Sequence, residues 1–139
     1  MKKIITLLLI TFFVISYSAS TAQTTAAVQK NIEQANIKFM KWFNAGQADS
    51  IVAQYHVNAC ITDRGCGKPF LQNHFATETG KYKFKELATV SVTVKDNTAE
   101  ETGRWKILLG SGMELSGRYQ TEWQKVNNKW VIFKETIIE

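Results

Sequence analysis

The sequence predicts an α+β fold in which three N-terminal helices pack in a strongly curved, mostly antiparallel sheet. Apolar residues recur every three or four positions up to about residue 79, which indicates helices. From residue 82 onward they alternate with polar residues between turn signals, which indicates strands. The 139 residues, 45% hydrophobic and 21% charged, fit one globular domain.

The N-terminus carries the pattern of a secretory signal peptide. Met1–Lys3 is basic, residues 4–15 are almost wholly apolar, and Ser20–Ala22 offers small residues for cleavage. The apolar run is shorter than the ~20 residues that a membrane-spanning helix needs. We therefore predict a signal peptide at 1–22, a domain at 23–139, a secreted or periplasmic location, and no stable membrane insertion after cleavage.

The charge of the chain argues against one class of function, and its two cysteines raise the question of a disulfide. Removing Lys2 and Lys3 lowers the net charge from +5 to +3 without leaving a dense basic block, which argues against nucleic-acid binding. Cys60 and Cys66 could form a disulfide across a short hairpin in an oxidising compartment, or stay unpaired. Two cysteines and two histidines without paired spacing do not predict a metal site, and no phosphate-binding motif indicates an organic cofactor.

Three helices are predicted before the long strands. The first, about 26–44, has an apolar stripe and ends near Gly46, which can adopt the left-handed cap. A shorter helix follows at 48–55, then a strand at 57–62 and a turn at Asp63–Gly65. The third helix, about 69–79, begins at a proline, which is tolerated in the first turn. The stripe of the first helix consists of Val28, Ile32, Ala35, Phe39 and Phe43.

Four long strands are predicted in an antiparallel meander, with turns near residues 96–97, 110–112 and 127–128. In the first of them, Val90, Val92 and Val94 are placed on one face. Gly103 and Gly117 lie inside strands, where glycine favours bulges and sharp bends. A bent sheet around a helix forms a cone whose open mouth is the natural pocket.

The apolar residues on both faces of the last strand predict a protein partner. Trp130 and Ile132 lie on one face of it, whereas Val131 and Phe133 lie on the other. An apolar outer face of a sheet needs a cover, and a second copy of the chain is the expected one. We therefore expect a homodimer through the outer sheet face, although scattered surface apolar residues are also common.

Several side chains are candidates for the pocket. Aromatic residues with polar tips suit a small apolar or aromatic ligand, although they could also simply fill the core. Strict alternation places Glu101 on the inner face, as a protonated donor or ligand anchor, unless a bulge turns it outward. His74, on the third helix, is a possible general base or a satisfied, partly buried histidine. The aromatic candidates are Phe39, Tyr55, Trp105, Tyr119 and Trp123.

Three strings resemble a known superfamily. "N-A-G-Q-A-D-S-I-V-A-Q-Y" (44–55) and "Y-H-V-N-A-C-I-T-D" (55–63) look like the opening of ketosteroid isomerases, and "G-R-Y-Q-T-E-W-Q-K" (117–125) looks like small related domains. Over residues 27–139 the chain resembles the nuclear transport factor 2-like superfamily, closest to its SnoaL-like and ketosteroid isomerase-like branches. The resemblance implies a cone-shaped, cystatin-like fold.

The resemblance also implies positions for catalytic residues. The isomerase general base, an aspartate at the end of the first strand, falls on Asp63. The two oxyanion donors of the isomerase fall on Phe39, which has no hydroxyl, and near Thr121, which is less acidic than the family's aspartate. Since one such donor is typically worth ~3 kcal/mol, the chain departs from steroid isomerase chemistry while retaining a pocket.

Three functions therefore stay open. The first is binding of a small hydrophobic or aromatic molecule. The second is an isomerase, cyclase or dehydratase that uses Asp63 as general base, with Glu101 or His74 as partner. The third is a non-catalytic dimerisation module.

Overall fold

In a computed structural model of the chain, the backbone is described for residues 5–138 and the side chains for residues 24–138. Three helices precede or separate six strands that form one sheet in the order β2-β1-β6-β5-β4-β3. The elements are α1 (Ile5–Asn44), α2 (Ala48–Val52), β1 (Tyr55–Ile61), β2 (Gly65–Cys66), α3 (Lys68–Glu78), β3 (Tyr82–Lys95), β4 (Thr98–Leu109), β5 (Glu114–Val126) and β6 (Lys129–Ile138).

The first helix is longer than predicted. It begins at Ile5 rather than near residue 26, because neither proline nor glycine interrupts residues 5–44. Its predicted apolar stripe is confirmed, with Ile32 and Phe43 almost fully buried. The predicted signal peptide, 1–22, lies outside the described side chains, and its cleavage stays a prediction. Within residues 24–138, no helix is long and apolar enough to cross a membrane.

The sheet curls around α1 without closing, and the predicted α+β architecture is confirmed. Strands β3 to β6 form the antiparallel meander, whereas β1 runs parallel to β6. Two aromatic rings lie over glycines on the facing strand. Tyr119 covers its cross-strand partner Gly103, and Trp105 covers its partner Gly117. A Cβ at either glycine would clash with the ring, so both glycines are required by close approach.

Among the register shifts of the sheet, two decide which side chains discussed below face the helix. In β3 the pairing shifts between Thr89 and Ser91, so Val90 is an extra residue and is exposed. The prediction that Val90 shares a face with Val92 and Val94 is therefore wrong. In β6 the pairing with β5 shifts across Phe133, which is likewise an extra residue. Each bulge reverses the alternation on one side of it.

The cysteines are paired in the structure. Cys60 of β1 and Cys66 of β2 face each other across the short hairpin, with Cα atoms 4.1 Å apart, and form a disulfide. The sequence alone leaves this bond open, because it does not fix the register between strands. The hairpin turn contains Asp63, which adopts a left-handed backbone conformation with φ 61°.

Candidate functional site

The open end of the curled sheet contains a cavity of about 240 Å³. Its wall is mainly aromatic and aliphatic, with a small number of polar groups, as in many small-molecule sites. Arg64 and Ile137 are exposed and lie at its rim. The polar and charged lining residues are Asn36, Arg64, His74, Glu78, Tyr82, Tyr119, Thr121 and Glu135.

Most of the predicted ligand-binding residues line this one cavity. The structure brings together residues from α1, α3, β4 and β5 that are far apart in the sequence. Tyr55 is buried beside the cavity but does not line it. The predicted residues that line the cavity are Phe39, His74, Trp105, Tyr119, Thr121 and Trp123.

Asp63 is not brought to the cavity. Its side chain is exposed on the turn between β1 and β2, and the neighbouring Arg64 is the turn residue that lines the rim. A general base must come within hydrogen-bond reach of the proton it removes. The structure therefore supplies no geometric support for Asp63 as the base, and its catalytic role stays a prediction carried by the resemblance.

Glu101 faces inward, as alternation predicts, but it lies behind the cavity wall. It is fully buried, and its carboxylate accepts four hydrogen bonds from neutral donors. Oε1 accepts bonds from Asn36 Nδ2 at 2.7 Å, Thr89 Oγ1 at 2.8 Å and Tyr119 OH at 2.7 Å. Oε2 accepts a bond from Trp123 Nε1 at 2.9 Å. In the structure Glu101 is an acceptor that ties α1 to three strands, and its role as a protonated donor or ligand anchor stays a prediction.

Local sequence features assemble this buried cluster. The bulge at Val90 turns Thr89 inward toward Glu101. Because Gly103 has no side chain, the ring of Tyr119 can lie across β4 and direct its hydroxyl to Glu101. Burial, and then the Glu101 charge, raises the pKa of Tyr119 far above its usual value, so this hydroxyl keeps its proton.

Glu135 is the functional candidate that sequence analysis missed. It lies on β6, lines the cavity, and accepts a hydrogen bond on Oε2 from Tyr55 OH at 2.7 Å. Its backbone is held by β1, since Thr62 N donates to Glu135 O at 2.8 Å. If side chains alternated strictly from Trp130 and Ile132, residue 135 would lie on the outer face. The extra residue at Phe133 shifts the alternation by one position, so Glu135 points inward.

The environment of Glu135 alters its proton affinity. Burial raises the pKa of Glu135 to about 7; the Tyr55 hydrogen bond opposes the rise, and the Glu101 charge adds to it. Across the cavity, burial lowers the pKa of His74, an effect that Glu78 opposes and Arg64 reinforces. Burial also raises the pKa of Tyr82 to about 12. The cavity therefore contains one carboxyl group poised near neutrality and a mainly neutral imidazole.

The raised pKa of Glu135 predicts a pH-dependent stability term. The unfolded chain releases this proton near its ordinary pKa of 4.5, whereas the folded chain holds it until about 7. The stabilising contribution is thus complete below about pH 4.5 and is lost as the pH rises through 7. We expect Glu135→Gln to gain about 2 kcal/mol of unfolding free energy relative to wild type across this window, after allowance for solvent in the open cavity.

Urea denaturation of both proteins at about pH 4.5, 6 and 7.5 measures this difference. Glu78→Gln is the matched control, because Glu78 lines the same cavity but pairs with Lys81 at 2.8 Å. A wild-type-minus-variant difference that stays constant with pH would contradict the assignment.

Comparisons with known proteins agree with this architecture. A protein of unknown function with a cystatin-like fold from Nostoc punctiforme superposes with a TM-score of 0.71 and 14% identity, over 83% of this chain and 93% of that one. A nuclear transport factor 2-like protein of unknown function from Pseudomonas putida gives 0.70 and 18%, over 81% and 87%. One from Streptomyces avermitilis, proposed to be a dehydratase, gives 0.67 and 15%, over 81% and 96%. No family model and no curated protein sequence matches the chain.

These likenesses establish the fold alone. The helices, the curled six-stranded sheet and the superpositions together show the nuclear transport factor 2-like, cystatin-like fold that the sequence predicts. Proteins with one fold perform unrelated functions, so function must be argued from the site.

Proposed function

We propose that the protein binds a small, largely apolar or aromatic molecule in the cone. The observation that carries this proposal is the cavity of about 240 Å³, whose wall is formed by aromatic rings and aliphatic side chains around few polar groups. Trp105, Tyr119 and Trp123 could instead have filled the core, but the cavity stays open beside them.

The positions of these rings support the proposal. Trp105 lies over Gly117 and donates from Nε1 to Arg118 O at 3.1 Å, so its ring is held against the sheet. Trp123 and Tyr119 point their polar atoms at Glu101. Because these polar tips are already bonded, the rings present apolar surface to a ligand.

A cavity-blocking variant tests the proposal. Ile107 is half-buried and lines the cavity, so Ile107→Trp should fill part of it. We expect 2-phenylethanol, as an aromatic probe at ten times its dissociation constant, to stabilise wild type by about 1.4 kcal/mol and to raise the melting temperature by several degrees. The variant should lose most of this shift, which differential scanning calorimetry measures.

Val90→Trp is the matched control, since Val90 is exposed on the β3 bulge and does not line the cavity. It should keep the full shift produced by 2-phenylethanol. An equal shift in Ile107→Trp, or no shift in wild type, would contradict binding in the cone.

The second candidate is an enzyme of the isomerase, cyclase or dehydratase kind. The observation that favours it is Glu135, a cavity carboxyl group with a pKa of about 7, which suits proton transfer near neutrality.

An enzyme that used Asp63 instead would lose turnover on Asp63→Asn, whereas ligand binding should be unchanged because Asp63 does not line the cavity. Loss of binding in that variant would reject the simple binder.

We also propose export of the protein, as the sequence pattern suggests. The Cys60–Cys66 disulfide is compatible with an oxidising compartment. Mass spectrometry of the exported fraction should find a chain that begins at Gln23. A full-length chain confined to the cytoplasm would contradict this proposal.

A two-fold dimer through the outer sheet face is proposed as well. Phe133 is half-buried and lines a surface depression with Glu100, Glu122 and Gln124. A partner copy would cover this apolar ring. Light scattering during size-exclusion chromatography should give twice the chain mass, and a monomer at micromolar concentration would rule the dimer out.

A further inference from the structure

We propose that the ligand of the cavity is an organic cation, an aromatic or apolar body carrying a protonated amine, and that Glu135 anchors the ammonium group. This inference rests on the proposed binding function and names the chemical class of its ligand. It depends on a free carboxylate oxygen, the charges around it, and the rings that line the cavity.

One oxygen of Glu135 is available to a ligand. Oε2 accepts the bond from Tyr55, whereas Oε1 accepts no hydrogen bond from any residue within 24–138. Among these residues, the only fully buried side-chain oxygen or nitrogen without a partner is Gln54 Oε1, so Glu135 Oε1 keeps some accessible surface. Since Glu135 lines the cavity, a ligand donor can reach Oε1 from there.

Of the two carboxylates that line the cavity, Glu135 is the one without a basic side chain paired to it in the described part of the chain. Glu78, the other acidic lining residue, pairs with Lys81 at 2.8 Å. No lysine or arginine within residues 24–138 forms an ion pair with Glu135, and the buried Glu101 adds negative charge behind it. Arg64 lies exposed at the rim, and the lowered pKa of His74 keeps that side chain mainly neutral.

The walls favour a cation over a neutral donor. The rings of Phe39, Phe75, Tyr82 and Trp105, with others, line the same cavity as Glu135. Aromatic faces attract ammonium groups, by about 0.5–2 kcal/mol depending on desolvation. A charge-assisted hydrogen bond to a carboxylate is also roughly twice as strong as a neutral one. An amine would thus gain from both features, whereas a carboxylate ligand would be repelled.

Two probes of nearly the same shape test, without any mutation, whether the charge of the ligand affects its binding. Isothermal titration compares phenethylamine, protonated across the pH range, with neutral 2-phenylethanol. We expect phenethylamine to bind wild type about tenfold more tightly at about pH 8. Its affinity should fall about tenfold at about pH 6, where Glu135 is mostly protonated, while that of the alcohol should stay constant.

Variants then locate the anchor. Glu135→Gln should remove both the preference for the amine and its pH dependence, while binding of the alcohol persists. Glu78→Gln should keep the preference within about twofold, because Glu78 is paired with Lys81 and an exposed pair contributes little. Tyr55→Phe retains Glu135 but removes a hydrogen bond that lowers its pKa, so the preference for the amine should persist and should set in at a higher pH than in wild type.

The outcomes separate the two proposals. Equal binding of amine and alcohol to wild type, or an amine preference that survives Glu135→Gln, overturns the cation anchor but leaves the apolar binder standing. No binding of either probe overturns both proposals. Tighter binding of phenylacetate than of phenethylamine also overturns the anchor.

Discussion

Replacing Glu101 with alanine should lower the free energy of unfolding by about 4 kcal/mol, the largest effect expected of a single substitution here. The carboxylate is fully buried and accepts four hydrogen bonds. Its removal leaves Trp123 Nε1 without its acceptor. The bonds that remain in the cluster are two weaker ones of about 3.1 Å. Asn36 Nδ2 donates them to Thr89 Oγ1 and to Tyr119 OH.

Glu100→Ala is the matched control. Glu100 is the adjacent residue, exposed on the opposite face of β4, where it accepts a hydrogen bond from Gln120. Its loss should change stability by less than about 0.5 kcal/mol in urea denaturation. Similar losses in the two variants would contradict a structural role for Glu101.

Glu101→Gln separates charge from shape. Glutamine keeps one acceptor oxygen but places an NH₂ group among donors, so one side of the cluster is left unmatched. We expect a loss of about 2 kcal/mol, between wild type and alanine.

Gly103→Ala should cost about 3 kcal/mol, the second largest effect, although it adds one methyl group. A Cβ at residue 103 would lie 2.1 Å from Cζ of Tyr119 and 2.3 Å from its hydroxyl oxygen. The ring must therefore move away from β4, and the 2.7 Å bond to Glu101 is lost. Thermal and urea denaturation both measure the loss.

Gly110→Ala is the control, because a Cβ at residue 110 would meet nothing within 4 Å. It should leave stability unchanged or raise it slightly, by up to about 1 kcal/mol. A second test uses coupling. Tyr119→Phe should cost much less in the Gly103→Ala background than in wild type, since the hydroxyl bond is already broken there. Additive losses would show that the ring had not moved.

The sequence determined the fold class, and the reasons are visible in particular elements. The apolar stripe of α1, the proline at the start of α3 and the turns at Asp96 and Asn127–Asn128 are local signals that tertiary contacts did not override. The aromatic pocket residues were also predictable. Gly103 and Gly117 predicted a bent sheet, and side chains on its inner face could only point into the cone.

The site was only half predictable, because bulges are not visible in a period-two pattern. Alternation placed Glu101 correctly on the inner face, since β4 pairs with β5 without a register shift. It could not show that four donors would surround this carboxylate. It also placed the residues of β6 beyond Phe133 on the wrong faces and so missed Glu135.

By itself, then, the sequence determined the order of the three helices and the four long strands, because hydrophobic period and turn chemistry are local properties. Only the tertiary structure decided which carboxyl groups reach the cavity. One extra residue in β6 turns Glu135 inward, and the position of Asp63 on an exposed hairpin turn keeps it away. Such choices depend on the register between strands, which is set by contacts distant in the chain.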